Sequence, residues 1–352
     1  MIDAGITLDE LQLAARNHAL PLEALRFDVT PIGLHYLLTH YDIPAVDAAA
    51  YRLRVGGRVA RELELTLAEL RVRPLVRQAV TMECAGNGRA LLSPRPQSQP
   101  WVTEAVGTAV WEGTPLAPLL EEAGLHADAV EVVFGGLDRG VEHEVEQTYA
   151  RSLPLEEALR GEVLLAWEMN GEPLPPQHGF PLRLVVPGWY GMTSVKWLER
   201  ITVVSEPFAG YQQTDAYRFR ADEEDEGEPL ARIAPRALMI PPGIPDFHTR
   251  RRFVARGACL LEGRAWSGVA PVESVEVSFD GGASWQEAEV EAGASRWAWS
   301  AWQAAWEPEA PGDYVLCCRA RDEAGNEQPL EPPWNVGGYA NNAVQRVPVT
   351  VR

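Results

Sequence analysis

The chain has 352 residues, room for two or three domains, and carries 31 lysines plus arginines against 50 acidic residues, a formal charge of −19 at pH 7. That balance excludes the broad basic footprint needed to bind nucleic acid or an anionic membrane, and it requires any anionic ligand to be met by cations gathered locally. Four cysteines, two of them adjacent at Cys317 and Cys318, form neither a disulfide framework nor a Cys-x-x-Cys metal or haem pattern; with no export signal after Met1 and no apolar run near the ~20 residues of a membrane span, a reduced, cytoplasmic chain is expected.

Residues 1–30 read as one helix, with Leu8, Leu11 and Ala15 on a common stripe, followed by a linker that ends at Thr30-Pro31. The stretch from Leu34 to Pro44 crowds two histidines and two tyrosines, Tyr36 and His40 among them, with no clean period. Space-filling, hydrogen-bonded histidines are the ordinary expectation there. Tyr51–Gly57 alternates into a glycine turn, and Thr66 with Glu69 forms a capping box.

An apolar strand over Gln78–Met82 then breaks into Glu83-Cys84-Ala85-Gly86-Asn87-Gly88-Arg89. A thiol at a strand end, followed by two glycines, can reach a soft metal; the competing reading is a small buried filler. Arg89 is the nearest fixed positive charge, or else a solvated surface arginine. Ser93–Trp101 holds three prolines and is loop, a natural pocket rim.

Thr114 as cap, Pro115 at the first position and Gly124 past the end predict a helix. Val130–Phe134 is a strand leading to Gly135-Gly136-Leu137-Asp138, where Asp138 alone reads as a turn residue. A second helix is expected from Ser152 to Leu159, then a buried strand over Val163–Trp167 and a tight turn at Asn170-Gly171. His178 and Arg183, five apart across glycine and proline, share neither a helical nor a strand face, so a loop leading into a strand must bring them to one ligand. The acidic run Asp222–Glu228 reads as a solvated linker. From Ala237 the texture changes to short alternating strands with an Asp280-Gly281-Gly282 hairpin, and the tryptophans there are expected to be core.

Cys84-Ala85-Gly86-Asn87, His178-Gly179-Phe180-Pro181-Leu182-Arg183, Val186-Pro187-Gly188 and Val195-Lys196-Trp197-Leu198 together resemble the molybdenum-cofactor domain of the sulfite oxidase family. Trp334-Asn335-Val336-Gly337-Gly338 resembles that family's dimerisation domain, so the likeness runs from about Leu34 to the end. It implies an α+β fold: a mixed molybdopterin-binding domain over 31–230, after the N-terminal helix and linker of 1–30, then an immunoglobulin-like β-sandwich over 231–352 that pairs two subunits.

The resemblance also implies a molybdenum-molybdopterin cofactor bound through Cys84 as metal ligand, and no haem in this chain. Tyr36, His40, Asp138, His178, Arg183, Ser194, Val195 and Lys196 would hold the pterin and its phosphate, with backbone N–H groups around Ser194 as further donors. Trp101, Arg89 and Tyr217 would face the substrate, Tyr217 after a one-residue adjustment. The implied reaction is oxygen-atom transfer, sulfite to sulfate, with electrons leaving to a separate acceptor such as a cytochrome. Leu38 and Gly337 stand where the family carries arginines, which leaves open a reductase of nitrate or an S- or N-oxide, or a cofactor-holding dimer without turnover.

Overall fold

The structure is a computed structural model and describes residues 5–142 and 144–352. Strands dominate it; the α-helices among the described residues are short, the longest being Leu8–Arg16 with nine residues.

Two five-stranded sheets build the first half. One runs in the order Leu63–Leu65, Leu53–Gly57, Leu198–Val204, Glu131–Glu142, Val145–Pro154, with the second and third strands parallel and the other neighbours antiparallel. The other is antiparallel: Val76–Glu83, Val106–Pro115, Leu164–Met169 and Glu172–Pro173 in order, with Arg183–Val185 also on Leu164–Met169. Leu53, Val55, Leu120, Phe134, Leu165, Leu184 and Ile201 share one buried cluster, so the two sheets are joined by apolar burial. Asn170 and Gly171, at φ 56° and 81°, make the tight turn expected of them.

Two further sheets form the C-terminal part. Arg236–Met239, Cys259–Trp266, Ser300–Trp306 and Glu289–Glu291 make one; Ile244–Pro245, Arg252–Val254, Gln345–Val351, Gly312–Asp322, Val272–Ser278 and Gln286–Glu287 make the other. Leu261, Val275, Val277, Trp302, Trp306, Leu316 and Val349 fill the core between them, and Trp266, Trp297 and Trp299 are also buried. Strand Val76–Glu83 contacts the C-terminal part at its end. Its last residue, Glu83, is ion-paired with Arg236 at 2.8 Å and accepts from the Trp266 indole at 2.8 Å, and all three are buried.

Several local expectations are corrected. The N-terminal helix is capped by Thr7 and Glu10, but Leu8 and Leu11 are exposed and Glu10 is buried, ion-paired with Arg95. A long-range charge pair, not the leucine stripe, docks it. Thr114 and Pro115 end a strand; the helix is Ala117–Ala123, with Gly124 closing it at φ 73° as expected. Ser152 and Leu153 are strand, and only Leu155–Ala158 is helical. The acidic run is the loop of a hairpin, Arg218–Phe219 against Glu228–Pro229, in which Asp222 and Asp225 accept backbone N–H groups. Asp138 is no turn residue: its strand continues to Glu142 with a bulge between Gly135 and Arg139.

Candidate active site

Cys84 directly follows strand Val76–Glu83. Its N–H donates to Ala105 O at 2.9 Å, and its carbonyl accepts from Asn87 N at 2.9 Å, which fixes the turn. The thiol stands where an inner and an outer cavity meet; Leu38, His40, Cys84 and Tyr217 touch both. Burial pushes the Cys84 thiol up, against the opposing pull of Arg89, the Gly86 backbone and the Trp101 indole.

Tyr36, His40, Asp138, His178, Arg183, Ser194, Val195 and Lys196 all line the inner cavity. Arg183 is buried and donates to His178 O and Ser194 O, both at 3.0 Å, with its guanidinium 4.6 Å above the Trp111 ring. Lys196 Nζ donates to Leu38 O at 2.8 Å and Gln177 O at 3.0 Å. Neither cation is within ion-pair distance of a carboxylate among the described residues; carbonyl dipoles hold both, and Asp138 acts on Lys196 through space. Burial lowers Arg183 to about 10 and Lys196 to about 7, Arg183 adding to the depression of Lys196.

His178 lies on a one-turn helix, Pro176–His178, closed by Gly179 at φ 106°. Burial, then the neighbouring His35, Arg183 and Lys196, drive it down to about 2, so its ring is neutral. Asp138 moves the other way, up to about 6 by burial, and its Oδ1 has no hydrogen-bond partner. A cavity lined by Arg183, Lys196, a neutral imidazole and an orphaned carboxylate oxygen suits a ligand that carries both anionic groups and N–H donors.

The N–H groups of Ser194 and Val195 donate to Gly191 O at 3.1 Å and Thr193 O at 3.0 Å within their own turn. Ser194 also accepts from Val186 N through its hydroxyl and from Arg183 through its carbonyl. His35 was not singled out by sequence. It is buried, edge-on to His178 at 5.6 Å, lowered to about 4 by burial, and its Nε2 is unpartnered. A Cβ at Gly107 would lie 2.6 Å from its ring, so that glycine is the one faint signal of its place.

Arg89, Trp101 and Tyr217 line the outer cavity with Cys84. Arg89 is buried, not a surface arginine. It donates to Gly337 O at 2.8 Å and Gln99 O at 3.1 Å, and its guanidinium would lie 2.7 Å from a Cβ at Gly86. Gly337, one of the two departures from the family's arginines, thus holds Arg89 through its carbonyl. Tyr217 is buried at φ 52°, an uncommon conformation for an aromatic residue, with its ring 5.4 Å from Tyr339. Burial pushes its hydroxyl well up, so it stays protonated.

Residues 40–212 match the family model of the oxidoreductase molybdopterin binding domain, and residues 249–352 match that of the Mo-co oxidoreductase dimerisation domain. Mitochondrial sulfite oxidase of Rattus norvegicus is 37% identical over 341 residues, 92% of this chain and 62% of the relative, so the chain spans under two thirds of that protein's length. Sulfite oxidase of Gallus gallus is 37% identical over 350 residues, 94% of this chain and 75% of the relative. Among solved structures, the sulfane dehydrogenase SoxCD from Paracoccus pantotrophus superposes with a TM-score of 0.80 at 25% identity, covering 98% of this chain and 91% of that one.

Proposed function

The chain belongs to the sulfite oxidase family, and from that premise we propose that it is a molybdopterin-dependent oxidoreductase that oxidises sulfite to sulfate. One observation carries the reading: Cys84 is the thiol among the four residues shared by the walls of a cavity suited to a phosphate-bearing pterin and an outer cavity open to substrate. The cofactor, when bound, supplies two-electron oxygen-atom transfer at its metal.

The chain's own residues do the rest. Cys84 would hold the metal as thiolate; burial keeps it protonated in the metal-free chain, so binding would release that proton. Arg183 and Lys196 would meet the phosphate, and Asp138 would accept from pterin N–H groups. His178 and Tyr36 line the same space, and His40 stands at its outer edge. Arg89 faces the substrate oxyanion, Tyr217 offers its hydroxyl as donor, and Trp101 closes the wall. Sulfite plus water gives sulfate, two protons and two electrons, and the electrons go to a separate acceptor, a cytochrome being one candidate.

The same reading divides the chain into a helix and linker (1–30), a cofactor domain (31–230) and an immunoglobulin-like sandwich (231–352) that pairs two copies; the match to a dimerisation domain supports the last. Four free cysteines support a reducing, cytoplasmic setting. A second reading, reduction of nitrate or an S- or N-oxide, is favoured by one feature: Leu38 puts an apolar side chain on the wall beside Cys84. Purified holoenzyme separates them. Sulfite should bleach the oxidised centre and drive ferricyanide reduction; reoxidation of the reduced centre by nitrate or a sulfoxide, with no response to sulfite, would reverse the assignment. A preparation that binds no molybdenum would sink both.

A further inference from the structure

The geometry points to a second anion site at the mouth of the outer cavity, formed by Arg16, Arg218 and Arg220, which collects sulfur oxyanions before they reach Cys84. Its substrate class rests on the function proposed above. These three arginines and Arg89 all line the outer cavity, against only two carboxylates, Glu142 and Asp215.

None of the four arginines is ion-paired among the described residues. Arg16 donates to His40 O at 3.4 Å, Arg218 to Glu226 O and Gly227 O at 2.6 Å each, and Arg220 to Thr214 O at 3.4 Å. Arg220 Nε is buried without any partner. Carbonyl acceptors orient a guanidinium and leave its charge intact, whereas a carboxylate would cancel it. The two carboxylates are occupied locally: Glu142 accepts from Tyr41 at 2.7 Å and lies 3.3 Å from His40, and Asp215 accepts from the Thr214 hydroxyl at 2.8 Å.

A chain of charge −19 repels a sulfite dianion at long range. Four guanidiniums against two lining carboxylates give the cavity wall a local positive excess, which Asp225 on the same hairpin, acting on Arg218 and Arg220 through space, reduces. They also relocate the positive charge that Leu38 and Gly337 do not provide, from the wall beside the thiol to the rim. The two elements that carry them are otherwise unexplained: the N-terminal helix, docked by the Glu10–Arg95 pair and ending at Arg16, and the hairpin after Tyr217.

Calorimetric titration of the holoenzyme with sodium sulfate tests this, with R218Q/R220Q as variant, R220K as a charge-retaining control and R256Q as an exposed arginine outside the cavity. The double variant should bind sulfate about tenfold more weakly or worse. R220K should stay near wild type, and R256Q should be unchanged, while thermal melting confirms that all remain folded. For sulfite turnover at low ionic strength, kcat/KM of the double variant should fall by more than kcat, and added salt should close the gap. Sulfate affinity unchanged in the double variant, equally lowered in R256Q, or absent in the wild type would overturn the site. If sulfite is not turned over but sulfate binding still depends on these arginines, the site stands and the proposed reaction falls.

Discussion

Cys84 reaches its position because a strand ends there and the next four residues are small or turn-forming, so the thiol meets two cavities instead of a packed neighbour. Replacing it with serine removes the soft ligand but little volume. C84S should therefore lose all molybdenum-dependent turnover while keeping the wild-type circular dichroism and melting transition; surviving turnover would refute the ligand role. Lys196 gives a prediction in pH. Its folded-state pKa is about 7 against an ordinary 10.5, so between those values the unfolded chain holds a proton that the folded chain has released. Stability of the cofactor-free protein should then rise with pH from 7 to about 9, by at most about 1.4 kcal/mol per pH unit. Above that the raised Cys84 thiol opposes it. A bound phosphate would hold the ammonium protonated and flatten the slope, so melting midpoints of loaded and cofactor-free protein across this range should diverge; parallel curves would count against the phosphate contact. Cys84, His178 and Arg183 were legible because each belongs to a local run with its own glycine or proline geometry. His35 was not, because its place depends on Gly107 and His178, which lie on two other elements.

Strand Val76–Glu83 does two jobs, presenting Cys84 at its end and tying the sheets of the first half to the C-terminal part through Glu83. Glu83 also accepts from Asn87 at 2.9 Å, within the turn that shapes the thiol's surroundings. E83Q would leave Arg236 charged, buried and unpaired, a loss of about 3–5 kcal/mol. Adding R236M should restore much of that in denaturant unfolding; a double variant no better than E83Q would show that the pair is not the junction's main tie. Short-range signals were readable at this scale: the Thr66–Glu69 box, the Asn170-Gly171 turn and the switch to short strands after Ala237 all appear. The N-terminal helix misled because its stripe of leucines is real but unburied. What anchors it is Glu10 meeting Arg95, 85 residues away, and pairing over that distance leaves no local period.

At the scale of the molecule, the charge of −19 per chain constrains how two copies can meet. Pairing brings like net charges together, so if the dimer is held mainly by apolar and backbone contacts, its association should weaken when screening is removed. The alternative is an interface of complementary charges, which would tighten at low salt. The arginines argue against the second case. Many are already paired within the chain, among them Arg252 with Glu23, Arg319 with Glu276 and Glu327, and Arg346 with Glu331. Others serve the two cavities. Exposed arginines without an ion pair among the described residues remain, Arg256 and Arg352 among them, but against 50 acidic residues per chain they do not offset the net repulsion. Sedimentation velocity should therefore show a dimer at about 150 mM salt that shifts toward monomer at about 10 mM, where the screening length grows to roughly 30 Å. A dimer that strengthens at low salt would mean that charge pairs across the seam outweigh the net repulsion.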